Sequence, residues 1–178
     1  MHIDRALKLR ARRAYEAGRL VRALAATWPA AVMTGLSYAL CHHPVLSLTF
    51  GLLLIGATTS MLCIGRWQQA AARTGLEAGM LAFLIPFTGF HLNVDELVGL
   101  SAAIVLLNGG GGFLGGLIIG LRSRQIAQKN QFLLAGACVT TLAGLLGCLF
   151  FGYFGIGTLL IGVLTATAPV GIYRWLTA

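Results

Sequence analysis

The sequence predicts an all-α polytopic membrane protein in which six transmembrane helices follow a short, basic, amphipathic N-terminal helix. Of the 178 residues, 57% are hydrophobic and only 10% are charged, and the mean hydropathy is +0.83. The apolar residues lie in long runs, and the basic residues precede the first run or follow every second one. Because soluble domains carry about 25% charged residues, we expect lipid to solvate most of this chain.

The six apolar runs are compared with the roughly 20 helical residues that cross a hydrocarbon core of about 30 Å. They cover residues 23–41, 45–65, 78–92, 97–121, 132–154 and 156–173, so residues 23–178 are expected to form one transmembrane domain. The third run is the shortest and contains Pro86. All six are apolar on every side, whereas the strands of a membrane β-barrel alternate in polarity. Helices also satisfy their own backbone hydrogen bonds in lipid.

The positions of the basic residues predict the orientation. Seven of the thirteen precede the first run, and the others lie in the second and fourth connections and after the sixth run. With six spans, all these segments lie on one side of the membrane, which the positive-inside rule makes cytoplasmic. The sequence therefore predicts a multi-pass inner-membrane protein with both termini in the cytoplasm.

Residues 1–22 form the predicted cytoplasmic helix, because they lack proline and place apolar side chains at three- and four-residue steps among basic ones. Such a helix binds an anionic inner leaflet or docks on a partner protein. Nucleic acid is the least supported partner, since Tyr15 is the sole aromatic in this segment and no reading motif is present. The candidate lipid- or partner-binding residues are Arg5, Lys8, Arg12, Arg13 and Arg19.

Polar side chains collect at the predicted outer face, in the CHHP turn after the first run and in the connection after the third. They are His42, His43, His91, Asp95 and Glu96. Histidine and carboxylate bind divalent first-row metals, and histidine changes charge between pH 5 and 8. A divalent metal is therefore the candidate cofactor, and pH sensing is the alternative use. A third interpretation is that these are the ordinary polar turns of membrane hairpins.

Glycines interrupt the middle of the fourth run. Asn108 is followed there by Gly109, Gly110, Gly111 and Gly112, and each glycine weakens a helix by about 1 kcal/mol relative to alanine. Broken helices near the bilayer midplane are where transporters bind substrates and ions. This segment is the candidate permeation or binding element, either as an unwound turn or as a closely packed helix face.

Small residues recur every four positions and indicate close helix packing. The glycines among them are Gly112, Gly116 and Gly120 in the fourth run, and Gly136, Gly144 and Gly152 in the fifth, where Thr140 and Cys148 complete the spacing. Small residues at this spacing line one helix face and let two backbones approach. We expect the two faces to meet in a hairpin of consecutive spans.

Hydrolase, metalloprotease and nucleotide-binding motifs such as GxSxG, HExxH and the Walker loop are absent. We therefore expect no enzymatic activity. The layout of six short spans behind a brief cytoplasmic arm resembles that of membrane anti-sigma regulators and of the six-helix substrate-binding subunits of vitamin importers. No motif is shared, so no residue acquires a role from either resemblance.

Two functions remain open. The first is a small transport protein or channel for a cation or small neutral solute, expected to be oligomeric. The alternative is a non-catalytic membrane subunit or signalling regulator, of the anti-sigma or complex-assembly kind, that holds a partner through the basic N-terminal helix.

Overall fold

The computed structural model describes residues 2–41, 43–152 and 154–175, and all regular secondary structure in these ranges is helical. The helices are α1 (His2–Ala26), α2 (Trp28–Leu40), α3 (Pro44–Ile64), α4 (Arg66–His91), α5 (Val94–Val98), α6 (Leu100–Ile104), α7 (Gly110–Ser123), α8 (Lys129–Cys148) and α9 (Phe154–Trp175). A π-helical turn, Val105–Gly109, joins α6 to α7. The predicted all-α class is confirmed for the described residues.

The first predicted span is divided by a bend at Thr27. α1 extends past residue 22, where the arm was predicted to end, and α2 leaves it at an angle of 48°. Pro29, in the first turn of α2, has no N–H for the hydrogen-bond ladder and disfavours helical geometry in the residue before it. At the bend, the Thr27 hydroxyl donates a hydrogen bond to Leu24 O at 2.8 Å.

α2 and α3 form a hairpin that packs against α8. Within the hairpin, the backbone of Gly51 contacts the Thr34 side chain, so a larger residue at position 51 has no room. Ser37 and Ser47 are fully buried and their hydroxyl oxygens lie 3.0 Å apart. Ser37 Oγ also lies 3.1 Å from Leu146 O of α8. These hydroxyls connect the first hairpin to the remaining bundle.

α4 and α8 make the most extensive helix contact through small residues. A Cβ on Gly75 would lie 2.9 Å from Gly136 O, and one on Gly79 would lie 2.5 Å from Ala143 Cβ. The Thr140 hydroxyl donates to Gly75 O at 3.0 Å, a hydrogen bond between the two helices. The backbones approach as closely as they do because neither face carries a large side chain.

The third predicted span, 78–92, is the second half of α4. This helix has 26 residues and continues through Pro86. A Cβ on Gly147 of α8 would lie 2.8 Å from Pro86 Cγ, so the proline ring occupies the space that the glycine leaves. The helix is therefore longer than the apolar run of residues 78–92, and Pro86 does not end it.

α7 packs along α9 rather than along α8 alone. Gly112 lies against the backbone oxygen of Leu159, and a Cβ on Gly116 would lie 2.8 Å from Val163 O. Gly162 of α9 in turn contacts Gly109 O. The expected glycine contact between consecutive spans is thus mainly a contact between the fourth and sixth predicted spans.

Three described helical segments are long and apolar enough to cross a membrane: α3, the combined segment Leu100–Ser123, and α8. The bent pair of α1 and α2 would make a fourth. α4, whose first half carries Arg66, Arg73 and Glu77, is not among them. The described apolar part of α9, Gly155–Ala168, is shorter than a span. The structure is consistent with a membrane protein, and the count of six spans stays a prediction.

Candidate functional site

Asn108 is buried in the π-helical turn, which contacts α4, α8 and α9. Its exposed fraction is 0%, and the other buried polar residues among those described are all serine or threonine. Its Nδ2 donates to Ile104 O at 3.1 Å, while its Oδ1 has no hydrogen-bond partner in the protein. Thr59 and Gln68 also carry a buried oxygen without a partner, but neither residue is fully buried. Asn108 is therefore the most enclosed unsatisfied acceptor that the structure describes.

The first turns of α9 pack directly on this amide. A Cβ on Gly155 would lie 2.9 Å from Asn108 Nδ2 and 3.2 Å from Cys148 Cβ. The carbonyl oxygen of Gly155 accepts from the Thr158 hydroxyl at 2.9 Å and from Cys148 Sγ at 3.4 Å. Asn108 is thus enclosed by α9 and the end of α8, with glycine at the closest approach.

The glycine run after Asn108 remains helical. Gly109 has φ −65° and ψ −44°, Gly110 has φ −62° and ψ −45°, and α7 continues from there. Gly111 lies against Ala82 of α4, and Gly112 against Leu159 of α9. Of the two interpretations of this run, close packing describes the backbone, and the departure from α-helix is the π turn rather than an unwound loop.

The remaining predicted packing glycines differ in their surroundings. A Cβ on Gly136 would lie 3.1 Å from Ile119 of α7, and one on Gly144 would lie 2.7 Å from Leu159 of α9. Gly120 is buried and its carbonyl oxygen accepts from the Ser123 hydroxyl. Gly152 lies outside the helices with φ 81° and has nothing within 4 Å of a Cβ position, so its feature is a turn conformation that favours glycine.

The predicted outer residues do not form a metal-binding group among the residues that the structure describes: it shows no set of three or more His, Cys, Asp or Glu side chains there. His42 lies outside the described residues. His43 precedes α3, and Asp95 and Glu96 lie in the first turn of α5.

His91 packs into an aromatic cluster at the end of α4. Its Nδ1 lies 2.9 Å from Phe87 O, and since a carbonyl can only accept, that nitrogen donates. The ring centroid is 4.4 Å from that of Phe87 and 6.4 Å from that of Phe150. The histidine therefore joins α4 to the connection after α8.

The basic arm is exposed over most of its length. The side chain of Arg5 lies outside the described part of the chain, and Lys8, Arg12 and Arg13 are exposed. Arg12 Nε donates to Glu16 Oε1 at 2.9 Å. Arg19 differs, because its Nη2 donates to Ile64 O in the last turn of α3 at 3.2 Å, where helix carbonyls lack partners.

Sequence reasoning missed several residues that shape the bundle. Gly75 and Gly79 in α4 have the same four-residue spacing as the glycines that were singled out, and Gly155 and Gly162 provide the α9 side of the contact. The spacing could have identified the α4 pair. Nothing in the sequence distinguishes Ser37 and Ser47 from the other hydroxyl residues of the apolar runs.

Comparison with known proteins adds no further assignment: no protein-family model matches the chain, and no curated protein or solved structure matches it significantly.

Proposed function

We propose that this chain is a small multi-pass membrane transport protein and that Asn108 is the polar contact for its solute. In this proposal six helices cross the membrane, both termini lie in the cytoplasm, and several copies assemble into an oligomer. The observation that carries the proposal is the fully buried Asn108 in a π turn, with Oδ1 unpartnered. Such turns are frequent at functional sites, and an unpartnered buried acceptor costs about 1–3 kcal/mol, which a bound solute would offset.

The chemistry of the site favours a small neutral solute or a monovalent cation. An amide oxygen accepts a hydrogen bond from a hydroxyl or amine and also coordinates hard cations. The described residues that are buried include no charged side chain. Divalent cation sites in proteins use carboxylates, so a divalent ion is a poor fit at this level.

Solute movement in this proposal requires α9 to move relative to the π turn. The backbone contacts of Gly112 and Gly162 close the space between α7 and α9. A shift of α9 away from α7 would open this space. The Asn108 amide would then exchange its contact with Gly155 for one with the solute.

The direct test replaces Asn108 with leucine, which has similar size but no polar group. Purified protein is reconstituted into liposomes, and stopped-flow light scattering measures urea and glycerol entry while a potential-sensitive dye measures potassium entry. We expect wild type to conduct at least one of these probes, and N108L to fall to the leak of protein-free liposomes.

Ser60→Leu is the matched control, because Ser60 is an exposed polar residue of α3 whose hydroxyl bonds only to Gly56 O of its own helix. This variant should conduct like wild type. Equal flux in N108L and wild type would disprove the role of Asn108, and wild-type flux at the leak level for all three probes would disprove transport of these solute classes.

A second pair of variants leaves Asn108 itself in place. Gly155→Ala adds a methyl group 2.9 Å from Asn108 Nδ2, whereas Gly157→Ala meets no atom within 4 Å. We expect G155A to displace the amide and reduce flux, and G157A to conduct like wild type. Equal flux in the two variants would show that transport does not depend on the contact between Gly155 and Asn108.

One observation favours the second candidate function, a subunit or regulator that holds a partner. Among the α1 side chains that the structure describes, the apolar residues Leu7, Val21 and Leu24 are exposed. A partner protein with an acidic groove would cover these side chains and neutralise the arginines beside them.

Deletion of residues 2–14 tests this function without disturbing the Arg19 contact with α3. Native mass spectrometry in mild detergent reports copy number and any bound protein. A stoichiometric second protein that is lost on deletion, with the helix bundle intact, would favour the regulator. A homo-oligomer alone, unchanged by deletion, would contradict it.

A further inference from the structure

A cavity of about 410 Å³ lies between α1 and the adjoining ends of α3 and α4. Arginines dominate its lining: Arg19 and Arg22 from α1, and Arg66 and Arg73 from α4. Tyr15 and Gln69 also line it, and alanine and leucine side chains complete the wall. The arginines of α1 are more than forty positions from those of α4 in the sequence.

No carboxylate lines this cavity, and the described residues contain one ion pair, between Arg12 and Glu16, which lies outside it. Arg19 and Arg22 each donate one hydrogen bond to a backbone carbonyl, which leaves most of their N–H groups unused. A guanidinium has five N–H donors and keeps its charge at physiological pH. The cavity therefore concentrates positive charge without an internal counter-charge.

We propose that this cavity is a binding site for a phosphate group, either in the headgroup of an anionic phospholipid or in a soluble phosphorylated compound. Arginine is the residue that proteins prefer for phosphate, since its planar fork donates two parallel hydrogen bonds to two phosphate oxygens. A bound phosphate also relieves the repulsion among the guanidinium groups. The volume lies within the roughly 300–1,000 Å³ of small-molecule sites.

The cavity is a different site from Asn108. Its binding groups are charged arginines that would hold an anion, whereas Asn108 is a neutral amide proposed to contact a neutral solute or a cation. Binding in the cavity differs also from a general attraction of the basic arm to anionic membranes. Two of the arginines belong to α4, and Lys8, Arg12 and Arg13 do not line the cavity. Removing charge from the cavity should therefore weaken binding more than removing equal charge elsewhere.

The test compares Arg66→Gln combined with Arg73→Gln against Arg122→Gln combined with Arg124→Gln. Each variant loses two exposed positive charges, and in the predicted topology all four positions face the cytoplasm. Delipidated full-length protein in neutral detergent is titrated with short-chain phosphatidylglycerol, short-chain phosphatidylcholine or inorganic pyrophosphate. The midpoint of thermal unfolding and native mass spectrometry report binding.

We expect a saturable upward shift of the unfolding midpoint with phosphatidylglycerol, with pyrophosphate, or with both, in wild type and in R122Q/R124Q. In R66Q/R73Q the affinity should fall by about tenfold or more, because two charge-assisted hydrogen-bonding groups are lost. Response to phosphatidylglycerol alone assigns the site to a lipid headgroup. Response to pyrophosphate, with competition between the two, assigns it to a soluble phosphorylated compound.

Equal affinity in R66Q/R73Q and wild type would overturn the proposal, and so would an equal loss of affinity in both double variants. It is also overturned if phosphatidylcholine and phosphatidylglycerol shift the unfolding midpoint equally while pyrophosphate does not shift it. If R66Q/R73Q does not elute as wild type does, R66K/R73K replaces it. That variant keeps the charge and loses the planar fork, so it should bind more weakly than R122K/R124K. Equal binding by those two variants would also overturn the proposal.

Discussion

Polar groups have opposite surroundings in two regions of the molecule. One is the set of helix contacts around Asn108, called here the bundle core, and the other is the cavity lined by Arg19, Arg22, Arg66 and Arg73, called here the α1–α4 junction. Around Asn108, glycine and alanine faces close the helices together, and a single neutral amide is enclosed without a charged neighbour among the described buried residues. At the junction, four arginine side chains line a cavity, and Arg22, Arg66 and Arg73 are exposed. Burying a charged side chain costs far more free energy than burying an amide. The interior therefore holds only neutral polar groups among the described buried residues, and the arginines that could bind an anion lie at the surface.

The largest expected effect tests whether the core depends on close backbone approach. Gly112→Ala places a methyl group against Leu159 O, whereas Gly110→Ala meets nothing within 4 Å. We expect G112A to lower the free energy of unfolding by about 1–3 kcal/mol through overpacking. G110A should be neutral or stabilising by up to about 1 kcal/mol, since alanine favours helix more than glycine.

Reversible unfolding in mixed micelles, followed by circular dichroism, measures both variants. Similar stability for G112A and G110A would show that the α7–α9 contact is looser than the structure describes. The core would then not be more tightly closed than the α1–α4 junction.

A smaller effect concerns the hydrogen bond between α4 and α8. Thr140→Val keeps the shape of the side chain and removes the hydroxyl that donates to Gly75 O. Interhelical hydrogen bonds of this kind contribute about 0.6 kcal/mol in membrane proteins, and we expect T140V to lose roughly that much. Thr165→Val is the control, because the hydroxyl of exposed Thr165 bonds within its own helix.

The same unfolding assay distinguishes these variants. A loss in T165V as large as that in T140V would mean that hydroxyl removal itself, rather than the contact between helices, determines the change.

The smallest effect belongs to the exposed arm. Arg12→Gln breaks the ion pair with Glu16, whose two side chains are 75% and 58% exposed. Exposed pairs at this spacing contribute roughly 0.3–0.5 kcal/mol, so the unfolding midpoint of the bundle should barely move. The helix content of α1 should fall slightly, and the difference from wild type should vanish in high salt. A salt-independent loss above that of T140V would show that the arm is part of the core.

Asn108 illustrates how far a pattern could lead to a candidate site. A polar side chain beside four glycines in an apolar run was recognisable from the sequence, because each feature is local. Whether that run unwinds or packs depends on Ala82 and Leu159, which lie on other helices. The outer histidines illustrate the converse, since their residue type and shared predicted face suggested a ligand set, whereas the packing of His91 against aromatic rings depends on Phe150 from another part of the chain.

The sequence by itself determined the helical class, the lipid-compatible composition and the positions of the polar interruptions, because these follow from side-chain polarity along a continuous chain. Only the tertiary structure decided which helices touch. α7 contacts α9, α4 contacts α8, and arginines of α1 and α4 line one cavity. When most helix faces are apolar, hydrophobicity does not distinguish one partner from another. Partner choice then depends on the fit of small residues against specific backbones, which appears only when the helices are placed in space.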